Sequence, residues 1–179
     1  MPTPDYILSL REKIGHEPLL LPGVTAIVLR ESTTGNFLNA PEVLLVRRAD
    51  NDMWTPVTGI ADAGEEPTTT AVREVKEEAC LDTRVAALLG CGAVGPVTYP
   101  NGDVASYIDI AFRLEVVGED EPAVGDDESS AVGWFSIAQL PSSVAPRFRL
   151  LIADAVAQRR RPQGFQPRMG YHKRDKPAF

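Results

Sequence analysis

The chain has 179 residues, a length that favours one domain with a core large enough to need neither disulfides nor a structural metal. Its 18 Lys+Arg against 25 Asp+Glu give a net charge of −7, which excludes a broadly basic surface for duplex nucleic acid. The charge is uneven: from Gln158 to Phe179 seven basic residues (Arg159, Arg160, Arg161, Arg168, Lys173, Arg174, Lys176) face one acid, Asp175, leaving 11 bases against 24 acids in the body. No apolar run is long enough for a transmembrane helix; the best, Leu19 to Leu29, is broken by Pro22 and Gly23. The N-terminus lacks the basic stretch of a signal peptide. The two cysteines, Cys80 and Cys91, have no metal-ligand spacing and suit a reducing cytoplasm. His16 and His172 stand alone and read as surface or core-edge residues.

In chain order, Ile7, Leu10 and Ile14 share a face and predict a helix from Asp5 that stops at Gly15. Leu19 to Pro22 leads into a strand over Val24 to Arg30, and the polar stretch Glu31 to Pro41 reads as a loop. Val43 to Val46 is a second strand ending in Arg47-Arg48, and Trp54 to Gly64 is irregular. Pro67 to Ala79 is a helix with Pro67 in its first turn and an apolar side of Ala71, Val72 and Val75. Val85 to Val97 is extended with glycine interruptions. Tyr99-Pro100-Asn101-Gly102-Asp103 carries the Asn-Gly signal of a hairpin, and a long strand follows over Ala105 to Val117. An acidic loop, Gly118 to Ser130, precedes a short strand at Val132 to Phe135 and an amphipathic helix at Pro146 to Arg159. Beyond Arg161 the composition turns to Pro, Gly, Gln and Lys/Arg without periodicity, which reads as a tail. These elements together predict a mixed sheet covered by helices.

The chemistry concentrates in Gly59 to Leu81, GIADAGEEPTTTAVREVKEEACL. Glu74, Glu77 and Glu78 stand at i, i+3 and i+4, which places three carboxylates on one helical face about one turn apart. Such acids repel one another unless positive charge lies among them. A hard divalent cation supplies it, and Arg73 can neutralise or orient one of them. Taken alone, a helix reading RExKEE is more often a solvated face. The whole segment resembles the Nudix box, with Gly59, Glu65, Arg73, Glu74, Val75, Glu77, Glu78 and Leu81 in their places. Cys80 stands where the box usually has glycine, a helix-end position of left-handed geometry, and a cysteine there costs about 1 kcal/mol or shifts the helix end. We read it as structural. The likeness extends to Arg48, Trp54, Trp134-Phe135 and Leu140-Pro141, and covers roughly Val24 to Ala157.

The resemblance implies an α/β fold, a Nudix-type mixed β-sheet sandwiched between α-helices. Residues 1–22 form an N-terminal helix and lead-in, residues 23–160 the catalytic domain, and residues 161–179 a basic tail. It implies a hydrolase that cleaves a nucleoside diphosphate linked to another moiety. Glu74, Glu77 and Glu78 would be ligands of Mg2+, with Mn2+ as the alternative. Glu65 would be a supporting ligand or the partner that fixes Arg73, and the carbonyl of Thr58 or Gly59 would complete the shell. Glu128 is the candidate for a further acid, as ligand or general base, with Asp127 the neighbouring choice. Arg48 is the candidate phosphate contact and Arg47 the alternative, since strand alternation sends them to opposite faces. Trp54 either stacks a base or packs over the box loop. Tyr99, Asp103, Tyr107 and Asp109 read first as hairpin and edge-strand surface, and second as lining of the substrate side.

Substrate cues conflict: Pro96 lies where the family has its ADP-ribose-associated proline, and Tyr99 where it has a tyrosine associated with dinucleoside polyphosphates. Expected partners are a small nucleotide derivative and, in one oligomeric alternative, a second copy of the chain; neither duplex nucleic acid nor a membrane is expected. A silent Nudix-fold nucleotide-binding module is the competing reading, disfavoured because every box carboxylate is kept. A Nudix-like isopentenyl-diphosphate isomerase is set low because no cysteine precedes the box.

Overall fold

Strand β1 (Leu19–Arg30) carries seven buried residues in a row, Gly23 to Leu29. A run buried on both faces belongs in the middle of a sheet with layers on either side. The computed structural model, which describes residues 3–32 and 40–171, has this arrangement. Among the described residues the remaining elements are α1 (Asp5–Ile14), β2 (Glu42–Arg48), β3 (Trp54–Thr55), β4 (Val57–Ile60), α2 (Pro67–Ala79), β5 (Thr83–Thr98), β6 (Val104–Val116), β7 (Ser129–Ser136), α3 (Pro146–Arg160) and β8 (Arg168–Met169), with a 3-10 turn at Pro162–Gly164. The strands form one mixed eight-stranded sheet in the order β3-β2-β1-β6-β5-β8, with β4 on β1 and β7 on β2. Helix α2 takes the bounds the sequence predicts.

The two faces sort by alternation. Val24, Ala26 and Val28 of β1 and Leu44 and Val46 of β2 point to one side, where they pack with Ala71, Val75 and Ala79 of α2. Ile27, Leu29, Val43 and Leu45 point to the other, against Phe148, Leu151, Ile152 and Ala155 of α3. The long antiparallel pair β5/β6 turns at Tyr99 to Asp103, as its Asn-Gly predicts.

Three segments differ from expectation. Trp54 to Gly64 is not irregular throughout: β3 pairs β2, and β4 pairs β1 through Gly23↔Ile60 to Ala26↔Val57. Strand β1 begins at Leu19, so a boundary after residue 22 would fall inside it; Leu19 already pairs Ala105 of β6 in parallel. Pro22 is tolerated because its edge faces the end of the β4 ladder, where its carbonyl accepts from the Ala61 N–H (3.2 Å). The basic end is no loose tail up to residue 171. Arg168–Met169 adds to β5 in parallel, and Arg168 grips Asp154 of α3 through two bonds of 2.7 and 3.0 Å. The Tyr171 hydroxyl donates to the buried Asp109 carboxylate (2.6 Å).

The glycines that look like interruptions of β5 make this docking fit. A Cβ on Gly90 would lie 2.5 Å from the Arg168 carbonyl, and one on Gly92 would lie 2.8 Å from the Tyr171 ring. Residues 33–39 of the expected loop, and His172, Lys173, Arg174, Asp175 and Lys176, lie outside the described residues.

Candidate active site

Helix α2 starts at Pro67, whose missing N–H costs nothing in a first turn. It ends at Cys80 in the left-handed conformation (φ 56°, ψ 20°), the geometry the sequence assigns to this position, with the thiol exposed. Between them Glu74 and Glu78 face the sheet and are buried, whereas Glu77 is half exposed. Glu74 lies directly on β4: a Cβ on Gly59 would sit 2.1 Å from its carboxyl carbon. Only glycine leaves room for the carboxylate there.

Arg73 organises the acids. Its Nε and Nη2 donate to the two oxygens of Glu65 (2.9 and 2.8 Å), and its Nη1 donates to Glu74 (2.9 Å) and Glu77 (3.1 Å). Glu65 is hydrogen-bonded to Arg73 through both of its carboxylate oxygens. Its carboxylate also accepts from the Thr70 hydroxyl (2.8 Å) and the Asp62 N–H (3.1 Å). The Arg73 hydrogen bond, aided by these two, holds the Glu65 carboxyl down at about 2.

Glu74 and Glu78 go the other way. Burial raises Glu74 to about 8, against the pull of Arg73 and with a further push from Glu78 and Glu77. Burial also raises Glu78 to about 7, followed by the negative field of Asp126 and then Glu128, with Arg48 opposing. The Ser129 hydroxyl donates to Glu78 at 3.4 Å. Such paired upward shifts mark two acids buried close together, which burial keeps largely protonated near neutral pH until something positive joins them.

The acidic loop reaches this site through backbone contacts. The Ala123 N–H donates to the carbonyl of Ala79 (3.1 Å) and the Gly125 N–H to that of Glu78 (3.1 Å), while the Ala49 N–H donates to the carbonyl of Glu128 (2.7 Å). Asp126 accepts from the Glu128 N–H (3.0 Å). Glu128 thus belongs to the electrostatic neighbourhood of Glu78, and Asp126, which the sequence does not single out, contributes more strongly there. Three consecutive acids offer no pattern that tells which one turns inward.

The two arginines separate as alternation requires. Arg48 is held above its usual range, first by its Asp50 hydrogen bonds (2.9 and 2.8 Å) and also by Glu128 and Glu78, which puts it on the carboxylate side. Arg47 pairs Asp52 at 2.6 Å on the surface. Trp54 lies edge-on against Phe135, with ring centroids 4.6 Å apart and planes at 64°, on the α3 side. Its ring is engaged in packing. Asp109 and Tyr107 are not on an edge strand, because β6 lies between β1 and β5; Asp109 is buried under Tyr171 and accepts from Thr25 (2.8 Å). Tyr99 and Tyr107 join hydroxyl to hydroxyl, and Asp103 pairs His16 (2.8 Å).

A NUDIX domain family model matches residues 20–155. The chain belongs to the Nudix family. It is similar to a MutT-like protein of Streptomyces ambofaciens, 28% identical over 149 residues, 83% of this chain and 85% of that protein. It is also similar to an ADP-ribose pyrophosphatase of Methanocaldococcus jannaschii, 35% identical over 103 residues, 56% of this chain and 57% of that one. Among solved structures, that of a UDP-X diphosphatase superposes with a TM-score of 0.60 at 18% identity, covering 93% of this chain and 74% of the other, a likeness of fold. The protein is a Nudix hydrolase.

Nudix hydrolases generally use divalent metal ions, and the residues here suit one. The Glu74 Oε2 atom is buried without a hydrogen-bond partner, Gly59 leaves the cradle in which it sits, and the side-chain donors at the site are hard carboxylate oxygens. The acids stand as neighbours instead of a closed cage: among the described residues no three His, Cys, Asp or Glu side chains form an assembled metal cluster. Among the described residues, no helix is long and apolar enough to cross a membrane.

Proposed function

We propose that this Nudix hydrolase is an Mg2+-dependent pyrophosphohydrolase of a nucleoside diphosphate linked to another moiety. The observation that carries the reading is the buried pair Glu74 and Glu78, with Glu74 clamped by Arg73 over Gly59 and one of its carboxylate oxygens left unsatisfied. Glu74 and Glu78 would hold the cation, with Glu77 and the Thr58 or Gly59 carbonyl as further oxygen donors. Mn2+ is the alternative ion. When bound, the cation supplies positive charge against the diphosphate oxygens and acidifies water.

The chain's own residues do the remaining work. Arg73, locked by Glu65, fixes the Glu74 carboxylate in one rotamer, which preorganises the site. Arg48, on the carboxylate side, offers a planar fork to a phosphate once it exchanges Asp50 for substrate. Water adds to one phosphorus and the bridging oxygen leaves with the other phosphate. The water proton passes to a carboxylate, for which Glu128 and Glu78 are the candidates. The relatives named as pyrophosphatases and diphosphatases support this class of bond.

The test is a hydrolysis panel with Mg2+ and with Mn2+ over ADP-ribose, nucleoside triphosphates, nucleotide sugars, CDP-alcohols and dinucleoside polyphosphates. Metal-dependent release of a nucleoside monophosphate or diphosphate product from one class supports the reading. Tight nucleotide binding without turnover anywhere in the panel would favour a binding module instead.

A further inference from the structure

Helix α1 precedes the family-matched region, which begins at residue 20, yet it touches the box. A ten-residue helix is not stable by itself and has to be docked. One end is moored by Arg11, whose Nη2 donates to the Val104 carbonyl (3.0 Å) and whose Nη1 donates to the carbonyls of Gly15 (3.0 Å) and Glu17 (2.6 Å). Its middle is moored by Ile7, buried with Leu21 and Ala105. So held, Tyr6 packs its ring against the same small core, beside Ile60. Its hydroxyl donates to the carbonyl of Ala61 at 3.2 Å.

That carbonyl lies two residues past Gly59, where β4 leaves its ladder with β1 at Gly23↔Ile60 and the box loop begins. The Ala61 N–H donates to the Pro22 carbonyl (3.2 Å), and the Ile60 carbonyl accepts weakly from Arg73 (3.4 Å). Arg73 is also the residue that orients Glu74. Displacement of the backbone at Ile60–Ala61, where β4 ends, would therefore disturb both the Gly59 cradle and the arginine clamp. Burial and the charge of Asp62 raise the Tyr6 hydroxyl above its usual range, so it stays a donor at neutral pH.

We propose that Tyr6 is a positioning residue for the box loop: its hydroxyl ties α1 to Ala61 and holds the Gly59 cradle and Glu74 in the geometry that takes a divalent cation. The proposal rests on the cation reading above. It extends the working site to a helix that precedes the matched region.

The experiment compares the wild type, Tyr6→Phe and Ile7→Val by Mn2+ titration (electron paramagnetic resonance of the free ion), thermal unfolding and Mg2+ dependence of hydrolysis. Tyr6→Phe keeps the ring and removes one hydrogen bond; Ile7→Val loosens the docking of α1 without touching the loop. The expected result is an Mn2+ Kd about 10-fold weaker in Tyr6→Phe, the scale of a lost outer-shell contact. The Mg2+ concentration for half-maximal rate should rise in proportion, with kcat at saturating Mg2+ nearly kept. Ile7→Val should lower Tm by a few degrees and leave the Kd within about two-fold of wild type. Equal Mn2+ affinity in Tyr6→Phe and a wild type that does bind Mn2+ would overturn the proposal alone. So would Ile7→Val weakening Mn2+ binding as much as Tyr6→Phe. A wild type that binds no Mn2+ would instead overturn the cation reading on which it stands.

Discussion

Arg73 and Glu65 meet through two hydrogen bonds, Nε to Oε1 at 2.9 Å and Nη2 to Oε2 at 2.8 Å. The pair is separated by eight residues yet sets the position of a third, Glu74, which shares the same guanidinium. A bidentate charge-assisted pair of this kind is stronger and more directional than a lone ion pair.

Glu65, lowered by Arg73, and Glu74, raised by burial, predict a pH dependence with two limbs. Glu65 titrates at about 2 when folded, against 4.5 ordinarily. A depressed carboxyl stabilises the fold above its unfolded pKa, and that contribution is lost as pH falls from about 4.5 to about 2. Glu74 is raised to about 8, so the folded state binds its proton more tightly than the unfolded chain does. Its contribution is full below about 4.5 and is lost as pH rises to about 8. Cation-free protein should therefore be most stable near pH 4.5–5. Urea midpoints across pH 2–9 check this, and Glu65→Gln should flatten chiefly the acidic limb.

Gly59→Ala should be disproportionately harmful for a one-carbon change. The added Cβ would lie 2.1 Å from the Glu74 carboxyl carbon, so either the strand or the carboxylate moves. Overpacking of this kind costs about 1–3 kcal/mol, and displacement of a preorganised carboxylate costs about 10²-fold or more in rate. Differential scanning calorimetry and kcat/KM on the best panel substrate measure the two effects separately.

Tyr171→Phe should destabilise by about 1–3 kcal/mol, because the buried Asp109 carboxylate loses a 2.6 Å donor and is left with the Thr25 hydroxyl at 2.8 Å and the Arg147 guanidinium at 3.8 Å. Truncation after Arg161 removes β8, Tyr171 and the Arg168–Asp154 pair together. It should cost clearly more than the point change. Thermal unfolding of both variants reads the difference.

Cys80→Gly should stabilise by about 0.5–1 kcal/mol, since the residue sits at φ 56°, where a side chain is strained and glycine is not. A rise of a few degrees in Tm is expected; a fall would mean that the cysteine side chain holds the helix end by contacts stronger than this strain.

Much of this site is legible in the residues alone, because helical spacing fixes direction. Glu74, Glu77 and Glu78 share a face by arithmetic, and Pro67 marks where that face begins. Arg48 and Arg47 diverge because a strand alternates. What stays hidden depends on contacts distant in sequence. Asp126 is indistinguishable from Asp127 and Glu128 until the Gly125 N–H finds the Glu78 carbonyl, 47 positions earlier in the chain. Arg168 to Tyr171 carry no periodicity, so their place in the sheet depends on the room left by Gly90 and Gly92. Leu19 to Pro22 look like a lead-in because proline usually ends a strand, whereas here Pro22 sits just past the end of the β4 ladder, with its carbonyl bonded to the Ala61 N–H.

The central claim is that the buried carboxylates of α2 bring a divalent cation to a diphosphate. Its most direct test is the rate of Glu78→Gln beside wild type on whichever panel substrate turns over, at saturating Mg2+, with unfolding curves for both. The account predicts a loss of about 10³-fold or more in kcat/KM with the fold intact and stability equal or higher, because a buried charge has been removed. A folded Glu78→Gln protein with wild-type activity on that substrate would contradict it.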